Sequence, residues 1–196
     1  ACSGLTTYAA IRKIRPLVLA EEPVVLIGAG GLGLMALSLL RAQGSPGVVV
    51  VEPNPVRRQA ALDAGALAVV DPAAADAAAQ VRSAAGGAAW AVLDCVGAAS
   101  TVQLGLDVLV KGGQLIVVGL FGGEVTLSTP LIPMRAMSIE GSYVGTLADL
   151  RDLIALVRDK AIPPIPTTCC PLHRAPLALH DLEEGRVLGR VVLQPD

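Results

Sequence analysis

An apolar run from Val24 to Ile27 opens into Gly28-Ala29-Gly30-Gly31-Leu32-Gly33, and a second apolar run, Val48 to Val51, closes on Glu52. The order of these parts constrains the fold more than the glycines alone: strand, glycine-rich turn, helix-like stretch, strand, acid. Gly28 permits a tight turn, Gly30 lets the backbone approach a pyrophosphate, and Gly33 lets the following helix pack closely on its strand. The Gly30-Gly31-Leu32-Gly33 helix start would present free N–H groups and partial positive charge to phosphates. Glu52 falls about 20 residues on, where a carboxylate can accept hydrogen bonds from both ribose hydroxyls of an adenosine. The pattern predicts a dinucleotide-binding βαβ unit. Arg57 and Arg58 would fit a 2′-phosphate pocket, but Glu52 would repel that phosphate, so NAD is favoured over NADP.

At 196 residues the chain predicts one main core with an appendage. Hydrophobic residues make up 53% and aromatics only 2%, so the core must be aliphatic. Fifteen basic against seventeen acidic residues leave no strong field. With few aromatics to stack on bases and no basic run, nucleic-acid binding is not expected. No apolar stretch is long enough, without a charge or a Gly/Pro break, to span a membrane, and no secretory leader pattern is read. Cys2, Cys95, Cys169 and Cys170 form no Cys-x-x-Cys pair. Adjacent Cys169 and Cys170 would pair only with strain, so free thiols and a reducing, cytoplasmic setting are expected.

Six short apolar runs read as strands: Val24 to Gly28, Val48 to Glu52, Leu67 to Asp71, Ala91 to Cys95, Leu115 to Gly119 and Ser138 to Ser142. Their near-continuous apolar character is what parallel strands covered on both faces need. Asn54-Pro55 supplies an N-cap and first-turn proline with Gly65 as the stop, and Asp71-Pro72 repeats that start. Ser100-x-x-Gln103 reads as a capping box, with Lys111-Gly112-Gly113 closing the same helix. The alanine-rich stretch Ala73 to Ala85 is expected to be a peripheral helix. Together these predict an α/β fold: a doubly wound parallel sheet, strand order 3-2-1-4-5-6, with the ligand crevice at the carboxyl ends of strands one and four. After Tyr143 the alternation stops. An amphipathic helix from Thr146 to Lys160, a proline-rich stretch, a short helix from Pro176 to Glu184 and a final strand, Arg190 to Leu193, make an α+β tail that looks built to dock on something else.

Three further segments carry a family resemblance. Cys2-Ser3-Gly4-Leu5-Thr6-Thr7-Tyr8, Ile139-Glu140-Gly141-Ser142-Tyr143-Val144-Gly145-Thr146 and Gly185-Arg186-Val187-Leu188-Gly189-Arg190-Val191-Val192-Leu193 resemble motifs of the medium-chain zinc alcohol dehydrogenases, at the right intervals. The likeness covers most of this chain but only the second half of a complete member. It implies an oxidoreductase using NAD on an alcohol, aldehyde or ketone, with Cys2 as the third protein ligand of a catalytic zinc. It further implies that Thr6 and Leu32 flank the nicotinamide ring and that backbone groups of Val118, Ser142 and Val144 hold its carboxamide. By the same resemblance Arg190 reaches the pyrophosphate, Arg57 contacts the adenine ribose, and Val96 lines the crevice. Residues 1–15 would be a helix connecting to a catalytic domain, 16–143 the NAD-binding domain, and 144–196 the segment that returns to that domain. The chain is thus expected to be part of a longer enzyme, inactive alone because Cys2 is one ligand where a zinc site needs three. Joining of cofactor domains along the edge near Ser138 to Ser142 into a dimer or tetramer is also implied.

Other readings stay open: a zinc-free NAD(P)H quinone oxidoreductase of the same superfamily, a non-catalytic dinucleotide-binding module, and, more remotely, a methyltransferase. Asp94, at the end of strand four, could serve as an acid–base group or cap a turn. His173 and His180 read as a loop and a surface-helix residue, Cys95 as core, Trp90 as a buried strand residue, and Phe121 as either a pocket wall or a loop anchor.

Overall fold

The computed structural model describes residues 2–195. In chain order its elements are α1 (Cys2–Ile11), α2 (Pro16–Glu21), β1 (Val24–Ile27), α3 (Gly31–Ala42), β2 (Val48–Val51), α4 (Pro55–Asp63) and β3 (Ala68–Val70). There follow α5 (Ala77–Ala84), β4 (Ala89–Asp94), α6 (Ala99–Val108), β5 (Leu109–Val117), α7 (Leu131–Arg135), β6 (Ser138–Gly141) and α8 (Leu147–Lys160). The tail is β7 (Thr167–Pro171), a 3₁₀ turn (Leu172–Arg174), α9 (Ala175–Glu183) and β8 (Arg190–Gln194). The main sheet has six parallel strands in the order β3-β2-β1-β4-β5-β6, as the sequence predicts.

Alternation along each strand splits the core into two layers. Val24, Leu26, Val48, Val50, Leu93 and Ile116 face α1, α3 and Leu153 of α8. Val25, Ile27, Val49, Val51, Val92 and Leu115 face Val81 of α5 and Leu106 of α6. Both faces of the sheet are therefore covered, and β1 and β2 are buried at every position. The alanine-rich helix is less peripheral than its composition predicts, because Ala77 and Val81 insert into the second layer.

Several local expectations are corrected. The capping box at Ser100 and Gln103 does not form. Thr101 Oγ1 instead accepts the Ala98 N–H at 2.9 Å and donates to Asp94 Oδ2 at 2.8 Å, because the helix starts two residues earlier than the box requires. Lys111-Gly112-Gly113 does not close a helix: α6 ends at Val108, and these residues form an irregularity inside β5, where the register against β4 shifts. Gly112, at φ +85°, makes that bulge possible, and Arg15 clamps it by donating to the Gly112 carbonyl and the Gln114 side chain. Asp71 does not cap a helix directly either. Its Oδ1 accepts the Ala73 N–H in a turn, and α5 begins at Ala77.

The tail departs most. β8 pairs in parallel with β7, a strand that the proline-bounded Thr167–Pro171 stretch gave no sign of. The helix from Thr146 forms with a reciprocal cap: Asp149 N–H donates to Thr146 Oγ1, and Thr146 N–H donates to Asp149 Oδ2. α1 and the turn after it pack on the sheet: Ala10, Ile11 and Ile14 lie in the first core layer.

Candidate functional site

The site lies at the carboxyl ends of β1 and β4, where the strand order reverses. Gly28 turns the chain there with φ +93°, and a Cβ added to it would lie 2.8 Å from Val96 Cγ2 across the crevice. The loop after β4 thus presses against the glycine turn. A Cβ on Gly33 would collide with the Gly28 carbonyl oxygen, so a side chain there would push α3 off the turn. Gly30 behaves differently. It is the N-cap of α3, makes no side-chain cap bond, and a Cβ added to it would meet nothing within 4 Å. The first-turn N–H groups of α3 have no intrahelical partner, and such a helix start beside an unobstructed Gly30 is an arrangement that can bind phosphate.

Glu52 is only 3% exposed, and its carboxylate is fixed by the backbone. Oε2 accepts the Ala29 N–H at 2.7 Å and Oε1 accepts the Asn54 N–H at 2.9 Å. One acid therefore ties the glycine turn to the end of β2. Each oxygen keeps a lone pair for a further donor, which is what adenosine ribose hydroxyls would supply.

Arg57 is engaged with the tail. Its Nη2 donates to the carbonyls of Gly185 at 2.9 Å and Val187 at 3.1 Å, in the tail. Its Nε is buried and has no hydrogen-bond partner among the described residues. An orphaned buried N–H costs about 1–3 kcal/mol. Arg58 instead braces the end of β2, donating to the Glu52 and Pro53 carbonyls and pairing with Asp71 at 3.0 Å.

Arg190, the first residue of β8, reaches the glycine turn. A Cβ on Gly31 would lie 2.5 Å from its Nε and 2.7 Å from its Cζ, so the guanidinium rests directly on the start of α3. Leu32 is half-buried in the same first turn. On the other side of the crevice, Val118 and Ser142 are buried, their N–H groups donating to the Asp94 and Val117 carbonyls. Val144 has φ +56°, a strained conformation for a β-branched residue. It is held by Gly145, which packs so closely on α1 that a Cβ there would lie 2.7 Å from Leu5 and 3.0 Å from Ala9. Thr6, on the same helix, is buried at 8% exposure.

Asp94 is a turn-capping acid. Fully buried, it accepts the N–H groups of Val96 at 2.8 Å and Gly97 at 3.0 Å together with the Thr101 hydroxyl. Cys95 beside it is closely surrounded, and burial, with the Asp94 charge second, pushes its thiol up to about 12. Phe121 projects into solvent, as do His173 and His180. Trp90 is half-buried, with the Arg15 guanidinium 5.8 Å above its ring.

The residues present fit a dinucleotide: an unobstructed glycine at the start of α3, an arginine over that start, and a fixed acid. They do not fit a complete zinc site. Cys2 is exposed, and no three His, Cys, Asp or Glu side chains gather in a metal-holding arrangement among the described residues.

Residues 31–159 match the family model for zinc-binding dehydrogenases. An NAD-dependent alcohol dehydrogenase from Sulfurisphaera tokodaii is 33% identical over 99% of this chain and 56% of its own length. An L-threonine 3-dehydrogenase from Caldanaerobacter subterraneus is 29% identical over 89% of this chain and 52% of its own. Among solved structures, the alcohol dehydrogenase of Aeropyrum pernix superposes with a TM-score of 0.90 at 32% identity, covering all of this chain and 56% of that one. Acetophenone reductase from Geotrichum candidum, solved in complex with NAD, gives 0.84 at 28% identity, covering 97% of this chain and 53% of that one. The chain spans about half the length of the relatives it matches. With the doubly wound sheet, the glycine turn and the matched residues in agreement, the chain belongs to the zinc-binding, medium-chain alcohol dehydrogenase family and corresponds to its C-terminal, cofactor-binding half.

Proposed function

We propose that this chain binds NAD for a zinc-assisted alcohol dehydrogenase acting on a small alcohol and its aldehyde or ketone. The observation that carries this reading is the Glu52 carboxylate, held at the end of β2 by the Ala29 N–H beside an unobstructed Gly30. Bound there, NAD would supply a nicotinamide that accepts hydride from the substrate carbon. The chain's own part is binding and orientation. Glu52 would accept the ribose hydroxyls, the α3 N-terminus and Arg190 would meet the pyrophosphate, and Thr6, Leu32 and Val96 would wall the nicotinamide end. Backbone groups of Val118, Ser142 and Val144 would fix which ring face is offered. Cys2 is proposed as one zinc ligand, and the rest of the metal site would come from the half of a family-length enzyme that this chain does not span. The exposed apolar side chains of the tail, Leu172, Leu177, Leu179, Leu182 and Val192, are a suitable face for that half.

The fully exposed edge strand β6 supports a dimer or tetramer formed along Ser138 to Ser142. Free thiols at Cys169 and Cys170 fit a reducing, cytoplasmic setting. No helix among the described residues is long and apolar enough to cross a membrane.

The reading is tested by titrating the chain with NADH and NADPH. Charge repulsion between Glu52 and a 2′-phosphate is worth about 1–3 kcal/mol, so NADH should bind roughly 5- to 150-fold more tightly. Glu52→Gln should narrow the gap. Equal affinities in the unsubstituted chain would reject NAD selectivity, and no binding of either would reject the dinucleotide site.

A further inference from the structure

Arg57 and Arg190 lie 133 positions apart in sequence, yet one short segment joins them. Arg57 Nη2 holds the carbonyls of Gly185 and Val187, and Asn54 Nδ2 reaches the same Gly185 carbonyl at 3.5 Å. Asn54 is itself locked, because its Oδ1 caps α4 and its N–H donates to Glu52. From this anchor the chain runs to Gly189, whose φ of +71° and close contact with the Pro166 carbonyl leave no room for a side chain. Arg190 N–H then donates to that same Pro166 carbonyl at 2.9 Å. Two residues beyond the Arg57 bonds, the backbone is clamped again, and the Arg190 side chain is delivered onto Gly31.

We propose that Arg57 is a positioning residue for the phosphate clamp: it fixes residues 185–189 so that Arg190 stands over the start of α3 before a ligand arrives. The proposal rests on the reading that this turn binds a dinucleotide, and it assigns Arg57 a role other than direct contact with the adenosine. Chemistry favours arginine for it, since one nitrogen of a rigid planar fork serves two carbonyls and keeps the remaining N–H groups oriented. A pre-set clamp raises affinity by removing the ordering cost of a long side chain and its loop at the moment of binding.

The test displaces NADH with ADP-ribose, which carries the pyrophosphate, and with adenosine, which does not. Arg57→Ala should weaken ADP-ribose by roughly tenfold, the value of one well-made charge-assisted bond, and leave adenosine within about twofold. Arg190→Ala should do the same, and the double variant should be no weaker than either single, because the two residues act as one unit. Arg57→Lys, which keeps one donor, should recover part of the loss. A second readout needs no ligand: amide exchange at Arg190 and trypsin cleavage after Arg186 and Arg190 should speed up in Arg57→Ala at unchanged Tm. Equal loss for adenosine and ADP-ribose, multiplicative losses in the double variant, or unchanged exchange at Arg190 would overturn the proposal. Failure of the unsubstituted chain to bind ADP-ribose would instead sink the dinucleotide reading and this proposal with it, whereas binding with an indifferent Arg57→Ala would sink the proposal alone.

Discussion

Gly30 and Gly33 sit three residues apart in the same motif, and the structure gives them opposite surroundings. Alanine at Gly33 would drive its methyl into the Gly28 carbonyl. The obstacle is backbone, so relief requires moving α3 away from β1, at the upper end of the about 1–3 kcal/mol typical of overpacking. Alanine's better helix propensity returns up to about 1 kcal/mol. The net loss is roughly 2 kcal/mol, or about 4–8 °C in Tm for a chain of this length. Alanine at Gly30 meets nothing, and the backbone there, φ −73° and ψ −164°, suits any residue. Loss of a glycine N-cap costs about 1 kcal/mol at most, so Tm should fall by no more than about 4 °C. Under the proposed function the Gly30 methyl would, however, stand where the pyrophosphate approaches and weaken NADH at least about tenfold. Thermal unfolding followed by circular dichroism, with NADH titration of each folded variant, separates the two effects. A Gly33→Ala chain with unchanged Tm, or a Gly30→Ala chain that binds NADH as tightly as the parent, would refute the division of labour.

Two further outcomes follow from the titrating groups. With its thiol pushed up to about 12, Cys95 should stay unmodified by iodoacetamide at pH 8 in the folded chain, while exposed Cys2 and Cys169 react; peptide mass mapping reads the sites. Asp149 has its carboxyl held below its ordinary 3.8, first by the Thr146 backbone bond and then by the Thr146 hydroxyl and Arg12. A depressed carboxylate contributes stability that is in place above 3.8 and lost as pH falls through the folded value. Asp149→Asn should therefore melt below the parent at neutral pH and converge with it in acid, and a constant Tm difference from pH 7 down to about 2 would contradict this.

The sheet was legible because its signals are local and redundant. Every position of β1 and β2 is apolar, and glycine or Asn-Pro punctuation marks the turns. Such patterns follow from burial on both faces, so strand order came with them. Glu52 and the glycines were legible for the same reason, since chemistry and chain geometry coincide within about 25 residues. What sequence could not supply was any contact decided at a distance. The hold of Arg57 on the tail depends on carbonyls at Gly185 and Val187, and carbonyls leave no trace in residue identity. β7 was hidden because its pairing partner lies beyond an intervening helix and its own residues, Thr167 to Pro171, hold no large apolar side chain and end on a proline. The bulge at Gly112 reads locally as a helix stop; only Arg15, from the other end of the chain, shows that it is a clamped kink in a strand.

The seating of α1 ties it to the sheet. Ala10 and Ile11 are fully buried against the layer that holds β1. Arg12 pairs with Asp149 and Asp152 of α8, and Lys13 pairs with Glu140 of β6. These ion pairs are exposed and individually worth little; the burial beneath them is what fixes the helix. Thr6 and Cys2 ride on that helix, and Gly145 packs against its Leu5 and Ala9. The strained Val144 turn is thereby built on α1 as much as on β6. Cys2, Thr6 and the Val144 turn therefore belong to one packed body with the glycine turn. Their mutual geometry is set by the core of this half, so under the proposed function a catalytic half would meet residues already placed relative to one another.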